Sequence, residues 1–204
     1  MNKSFKMIRL AMATLLAACL SGCGNGGESK ENAVSEAAVT EAQLASARQT
    51  VQLFGSELKK ALLAALGEGG PEQAITACRD LAPEIASGMV ARTGWETRRT
   101  SLKPRNSENT PDVWEKRILA QFETSRARGE DPSSLEFYEI VDEEGQQVLR
   151  YLKAIPTGKL CLQCHGSEIS PETAARIADL YPADQATGFA EGDIRGAFSL
   201  RRPL

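Results

Sequence analysis

One segment of this chain has residue types and a spacing that can do chemistry: KLCLQCHGSEI, residues 159–169. It holds Cys161, Cys164 and His165, and His165 is the sole histidine of the 204 residues. Two thiols three positions apart fall on the same side of one helical turn. There they can add to the two vinyl groups of a haem while the imidazole next in the chain reaches the iron. C-x-x-C-H is the sequence form of that attachment. Two other chemistries use the same residue types. A structural zinc wants four ligands; Cys78 would complete a Cys3His set, but no second closely spaced ligand pair exists. A thioredoxin-like dithiol needs a βαβ setting, which the order of elements here does not give. One covalent haem c is the expected cofactor.

The second face of the iron is then a question of elimination. No histidine remains, and Met1, Met7 and Met12 fall in the leader described below, so Met89 is the surviving methionine. Cys78, Met89, a lysine or no protein ligand at all stay open from the residues alone. Cys78 lies mid-stripe on an amphipathic segment, where a free cysteine is as often an inert small hydrophobe.

The N-terminus points to export. MNKSFKMIR carries three basic residues and no acid, LAMATLLAACL is a short apolar run, and LSGC ends at Cys23. The run is too short for a spanning helix, and the pattern resembles a bacterial lipoprotein signal, residues 1–22, cut before Cys23 as the lipidation site; an ordinary cleaved signal with an incidental cysteine is the alternative. The expected location is the periplasmic side of a membrane, held by the N-terminal lipid, with Gly24 favouring the outer membrane. Cleavage removes Lys3, Lys6 and Arg9 from the 24 basic side chains, so the 27 acidic ones outweigh the remainder by six. That balance argues against nucleic acid as a partner.

Residues 23–36, rich in Gly, Ser and charge, read as a flexible tether. Residues 37–204 then form one domain. Leu44, Ala47, Val51, Phe54, Leu58 and Leu62 recur at helical spacing, and GEGG (67–70) stops that helix. Pro71 starts the next one, which carries Ile75, Cys78, Ala82, Ile85 and Met89, and Pro83 is expected to kink or split it. A segment around TGWETRRTSL looks extended. A helix over 110–129 is capped by Thr110, started by Pro111 and ended by Gly129. LEFYEIVD and QQVLRYLKAI, joined by EEG, read as a hairpin. A short helix from Pro171 to Leu180 and a last strand near DIRGAFSLRRP complete an α+β order. Trp95 and Trp114 are expected in the core.

Four segments carry a resemblance: ITACRDLAPEIA, RTSLKPRNSENTPDVWE, CLQCHG and YPADQATGFAEGDIRGAFSL, in that order. Together, over about residues 71–201, they resemble a family of PAS-like c-type haem proteins long catalogued as a domain of unknown function. Its members occur as stand-alone exported proteins and as sensing portions of bacterial receptors. The resemblance implies a PAS-like antiparallel sheet with flanking helices around one haem, here preceded by a long N-terminal helix. It also implies a His/Cys axial pair, which falls on His165 and Cys78. Arg105, Tyr181 and Arg195 lie in the matching blocks as further haem-lining candidates. The basic cluster Arg98, Arg99, Lys103 and Arg105 is a candidate partner of haem propionates. The family pattern often has proline where this chain has Ser107.

The function expected from this reading is a redox or diatomic-gas sensor module that acts through a signalling or redox protein. A periplasmic electron-transfer cytochrome is the alternative. A haem enzyme is disfavoured, because no second histidine is available as an acid–base group.

Overall fold

The computed structural model describes residues 38–204; the expected leader over 1–22, the expected lipidation site Cys23 and the expected tether over 23–36 lie outside the described residues. The chain runs through α1 (Glu41–Thr93), β1 (Glu96–Thr100), α2 (Val113–Ala127), β2 (Glu136–Glu143), β3 (Gln146–Pro156), α3 (Leu162–His165), α4 (Pro171–Leu180) and β4 (Ile194–Pro203). The class is α+β, as expected.

The N-terminal stripe forms a helix whose first turn is closed by reciprocal bonds. Thr40 Oγ1 accepts from Gln43 N–H at 3.2 Å, and Gln43 Oε1 accepts from Thr40 N–H at 2.8 Å. The backbone of α1 leaves helical dihedrals only at Gly69 (φ −154°, ψ 24°) and Gly70 (φ 69°, ψ −160°). Gly70 sits in a region that side chains with a Cβ rarely enter, so GEGG breaks α1 into halves 41–68 and 71–93. The expected kink at Pro83 is not a break: dihedrals stay helical there. Pro83 and Arg79, whose carbonyl loses its donor, both lie on the exposed side of the helix, where solvent can take the place of the lost donor.

The helix expected over 110–129 begins later. Asp112, not Thr110, is its cap: Asp112 Oδ1 accepts from Glu115 N–H at 2.7 Å, and Glu115 Oε2 accepts from Asp112 N–H at 3.1 Å. Asp112 Oδ2 also accepts from Arg150 at 2.6 Å. The carboxylate serves both the helix start and an ion pair to β3, which a threonine at 110 cannot.

The four strands form one antiparallel sheet in the order β1-β4-β3-β2. The hairpin turns at Glu144–Gly145, with Asp142 Oδ1 accepting from Gly145 N–H at 2.9 Å. Successive residues of β3 face opposite sides. Leu149 and Tyr151 pack with Leu44, Ala47, Val51, Trp95 and Leu200 under the first half of α1. Leu152 and Ala154 pack with Ile118, Leu119 and Phe122 of α2. Both faces of the middle strands are thus covered. Trp95 is fully buried, as expected, and donates its Nε1–H to Ser46 Oγ at 3.0 Å; Trp114 is half-buried against Phe137.

β1 and β4 touch where Gly196 faces Thr100. A Cβ on Gly196 would lie 2.3 Å from the Thr100 carbonyl oxygen, and its φ is 155°. Gly196→Ala therefore meets both a backbone clash and an unfavourable dihedral. The expected cost is about 3 kcal/mol, read as a lower unfolding midpoint in urea. An unchanged midpoint would show that β1 and β4 are not held this close.

Several carboxylates tie the layers together. Glu136 accepts from Arg48 Nη2 at 2.6 Å and from the Tyr151 hydroxyl at 2.6 Å, and the Arg48 bond chiefly holds its carboxyl below the usual range. At Asp112 burial works the other way, but the Glu115 N–H and the Arg150 guanidinium outweigh it and the carboxyl is again lowered. Trp114 and then Arg117 lower Glu139. Each group is more acidic folded than unfolded. Its stabilisation is complete above the ordinary carboxyl range, near pH ~4, and is lost as pH falls through the lowered folded value. Stability measured by urea titration is expected to be flat from pH 7 to 5 and to fall below pH 4. Glu136→Gln should flatten part of that fall.

Candidate functional site

The C-x-x-C-H segment is built by two short turns. A 3-10 turn over Lys159–Cys161 feeds α3, which stops at Gly166. Cys161 and Leu162 keep helical dihedrals, so Cys161 and Cys164 are one turn apart, as their spacing predicts. Only glycine fits after His165, since a Cβ on Gly166 would lie 2.7 Å from the Leu162 carbonyl oxygen. The loop before β4 is zipped onto this segment: Phe189 N–H donates to His165 O at 2.9 Å and Gly188 N–H to Gly166 O at 3.0 Å.

His165 Nδ1 lies 2.7 Å from the Ala186 carbonyl oxygen. A carbonyl can only accept, so Nδ1 carries the ring proton and Nε2 keeps its lone pair. Arg195 Nε is 3.3 Å from the same Nδ1; both are then donors, and the approach is a contact rather than a bond. Burial, followed by the charges of Arg195 and Arg105, pushes the imidazole pKa down to about 2. The ring is neutral across the ordinary pH range, the form that binds metals.

The segment opens onto a cavity of about 520 Å³, inside the ~300–1,000 Å³ usual for cofactor sites. Cys78, Cys161, Cys164, His165, Arg105, Tyr181 and Arg195 all line it. Seven positions that sequence reasoning singled out thus converge on one space, from α1, the loop after β1, α3, the end of α4 and β4. The apolar wall comes from the second part of the α1 stripe: Leu58, Leu62, Leu66, Ile75, Leu81 and Ile85. Leu58 and Leu62, expected in the core, are half-buried here and face this space. Met89 is fully buried and does not line the cavity.

Among the described residues no Asp or Glu lines the cavity, whereas Lys59, Arg99, Arg105, Lys159 and Arg195 do. In a chain with net charge −3, this is a local concentration of positive charge. The basic cluster at 98–105 divides by strand alternation. Arg98 turns away, donating to Glu108 O and Thr110 O at 2.8 and 2.9 Å beside the buried Glu115. Lys103 donates to Thr187 O at 3.1 Å. Arg105 is engaged by Asp184 at 3.1 Å. Arg99 lines the cavity, and among the described residues it has no acidic partner within 4.0 Å. Arg195 likewise has no ion pair and is held by Ser101 Oγ at 3.1 Å. Burial, with Arg105 and Arg99 alongside, draws its guanidinium down to about 10, so it stays charged at neutral pH. Among the described residues, Arg99 and Arg195 are the guanidinium groups of the lining that have no ion pair and so can meet an anionic ligand.

Burial raises the Cys78 thiol pKa, while Arg99, Arg105 and Arg195 pull it down. Burial also raises the Cys164 thiol. Tyr181 is buried beside Cys78, and among the described residues its hydroxyl has no hydrogen-bond partner. The three described cysteines, Cys78, Cys161 and Cys164, are free thiols. No group of three or more His, Cys, Asp or Glu side chains among the described residues is placed to hold a bare metal ion, so Cys78 and the motif do not assemble the Cys3His zinc set. The donors are instead spread around a space of cofactor size. A planar, apolar group with an anionic edge fits them: thiols and an Nε2 lone pair on one side, a thiol from α1, an apolar wall and two unpaired guanidinium groups.

A family model described as Tll0287-like matches residues 27–203. Among solved structures the chain is similar to the crystal structure of the cyanobacterial heme-protein Tll0287. The TM-score is 0.59 and the identity 23%, over 81% of this chain and 98% of that one. That likeness carries the fold, which is PAS-like α+β with a long N-terminal helix. Nothing among the curated proteins matches.

Proposed function

The chain belongs to the Tll0287-like family, and from that and the cavity we propose that it is an exported c-type cytochrome with one covalent haem, acting as a redox or diatomic-gas sensor module. The observation that carries this reading is the convergence of Cys78, Cys161, Cys164 and His165 on one acid-free cavity. Cys161 and Cys164 would hold the macrocycle through thioethers. His165 Nε2 and Cys78 Sγ would be the side-chain atoms that hold its iron. Arg99 and Arg195 would neutralise the propionates. The leucines and isoleucines of α1 would exclude water, which strengthens every charge interaction inside. Bound there, haem supplies one-electron exchange at iron and a coordination position open to a small ligand once a protein ligand leaves. A thiolate at Cys78 favours the ferric form, so Cys78 is the residue that makes occupancy of that position depend on redox state. Tyr181 lines the same cavity beside Cys78, and among the described residues its hydroxyl has no hydrogen-bond partner.

Cys23 would carry the lipid that holds the protein on the periplasmic side, with the signal passed to a separate redox or signalling protein. Electron transfer is the second reading. It is favoured by the exposed Lys59 and Lys159 on the cavity lining, which suit an acidic redox partner.

The chain isolated from a periplasm with c-type maturation should stay coloured after denaturation and acid extraction. A colourless chain, or a chromophore that leaves with the extract, would overturn the reading.

A further inference from the structure

Arg105 does more than line the cavity. Its Nε donates to Asp184 Oδ1 at 3.1 Å, and its Nη2 lies 2.5 Å from Cys164 O, 3.2 Å from Asp184 Oδ2 and 3.2 Å from Ala186 O. Nη2 has two hydrogens. The short bond to Cys164 O takes one, and Asp184 Oδ2 and Ala186 O share the other. Asp184 Oδ1 also accepts from Ala186 N–H at 2.9 Å. The Ala186 carbonyl in turn accepts the Nδ1–H of His165 at 2.7 Å. The bonds close a ring: Arg105, Asp184, Ala186, His165, Cys164 and back to Arg105. The two charged side chains are only 10% and 9% exposed, so solvent screens them little.

We propose that the Arg105–Asp184 pair is a positioning device for His165: it fixes the Ala186 carbonyl, which fixes the ring plane and tautomer of His165 and sets how strongly Nε2 donates. The proposal rests on the haem reading above. The physics gives the two members opposite signs. Arg105 shares the lone pairs of the Ala186 carbonyl, which weakens the pull of that oxygen on Nδ1–H and keeps Nε2 a weaker donor. Its positive charge also opposes a ferric centre. Asp184 offsets that charge. Removing Arg105 therefore strengthens Nε2 as a donor and stabilises ferric iron, and removing the Asp184 charge does the reverse.

The test compares R105Q, D184N and R105Q/D184N in the haem-bearing chain by redox titration. R105Q is expected to lower the midpoint potential, D184N to raise it, and the double variant to return most of the way. Two shifts of the same sign, or none, would overturn the proposal, because a merely structural pair loses stability in one direction whichever member is removed. The second readout does not need haem. The chain has a single histidine, so 15N-histidine labelling reports one imidazole. It should show the Nδ1-protonated tautomer in the parent chain and a changed Nδ1–H exchange rate in the variants: slower in R105Q, where the Ala186 carbonyl serves Nδ1–H without Arg105, faster in D184N, where Ala186 loses its Asp184 anchor, and altered in the charge-keeping R105K. R105K should hold the potential near the parent value, and it covers the case in which R105Q does not fold. An unchanged exchange rate in all three would overturn the device. If the chain carries no haem, the haem reading falls while the tautomer measurement still decides the ring.

Discussion

Replacing Cys161 and Cys164 together by serine is expected to abolish covalent chromophore: after denaturing electrophoresis, haem-stain signal falls to background. Each single variant should keep one attachment and a reduced signal. The two thiols sit one helical turn apart on the same segment, and nothing else in the cavity can replace them, because Cys78 arrives on α1 from another direction. The loss should also reach stability. A ligand bound to the folded state alone stabilises it by about 4 kcal/mol at a thousandfold excess over its dissociation constant, and a covalent group is always in excess. For a domain of this size that is roughly 8–16 °C in Tm. Calorimetry of the double-serine chain beside the parent chain checks it. A double-serine chain with undiminished covalent haem would remove the attachment site from the account.

Replacing Cys78 by alanine has the second large effect, and it separates ligation from attachment. The covalent signal should be unchanged. The ferric optical and paramagnetic spectra should lose their thiolate character, and the midpoint potential should rise. Axial ligand identity spans ~0.8 V across haem proteins, and exchanging an anionic sulfur for water or a vacant site should use a substantial part of that range. The direction follows from charge, since a thiolate stabilises ferric over ferrous iron. Met89 cannot substitute, because it is buried away from the cavity. Binding of carbon monoxide to the ferrous Cys78→Ala protein should also need no displacement step. An unchanged ferric spectrum would take Cys78 off the iron and return it to the status of a buried cysteine.

Much of this site was legible in the sequence because its chemistry is local. C-x-x-C-H needs only a turn of helix. The hairpin between β2 and β3 and the helix from Pro171 to Leu180 follow from alternation and capping residues next to one another in the chain. Cys78 required the apolar period of α1 and the family resemblance together. The stripe alone could not tell a residue facing packed core from one facing an open cavity, as Leu58 and Leu62 also show. Pro83 misled because propensity does not know which face of a helix is wet. Thr110 misled because Asp112 has a long-range partner, Arg150, on β3. The division of Arg98 from Arg99 was within reach, since adjacent strand residues point to opposite faces. The ring through Asp184 and Ala186 was not. It joins residues 79 apart in the chain, and only the folded loop before β4 brings the Ala186 carbonyl to His165.

Within the fold, each layer has a part in holding the site. The start of α1 packs on the sheet, Leu58, Leu62 and Leu66 near the end of its first half begin the apolar wall, and its second half, reached across the Gly69–Gly70 break, carries Cys78 and the rest of that wall. α4 grips that second half: Arg176 donates to Thr76 Oγ1 at 2.9 Å and Thr173 Oγ1 to Glu72 at 3.2 Å. The motif with His165 is anchored to the β4 side. The two candidate iron ligands thus come from different elements, Cys78 from α1 and His165 from α3, which meet where Cys164 packs against Ile75, Ile177 and Tyr181.

That arrangement makes a potentiometric titration with optical spectra, repeated under carbon monoxide, the most direct test. The expected result is a midpoint potential well below that of ordinary His/Met cytochromes, a thiolate-type ferric spectrum, and carbon monoxide binding to the ferrous form with a matching rise in apparent potential. A high potential, with a six-coordinate iron in both states that ignores carbon monoxide, would contradict it and leave an electron carrier in its place.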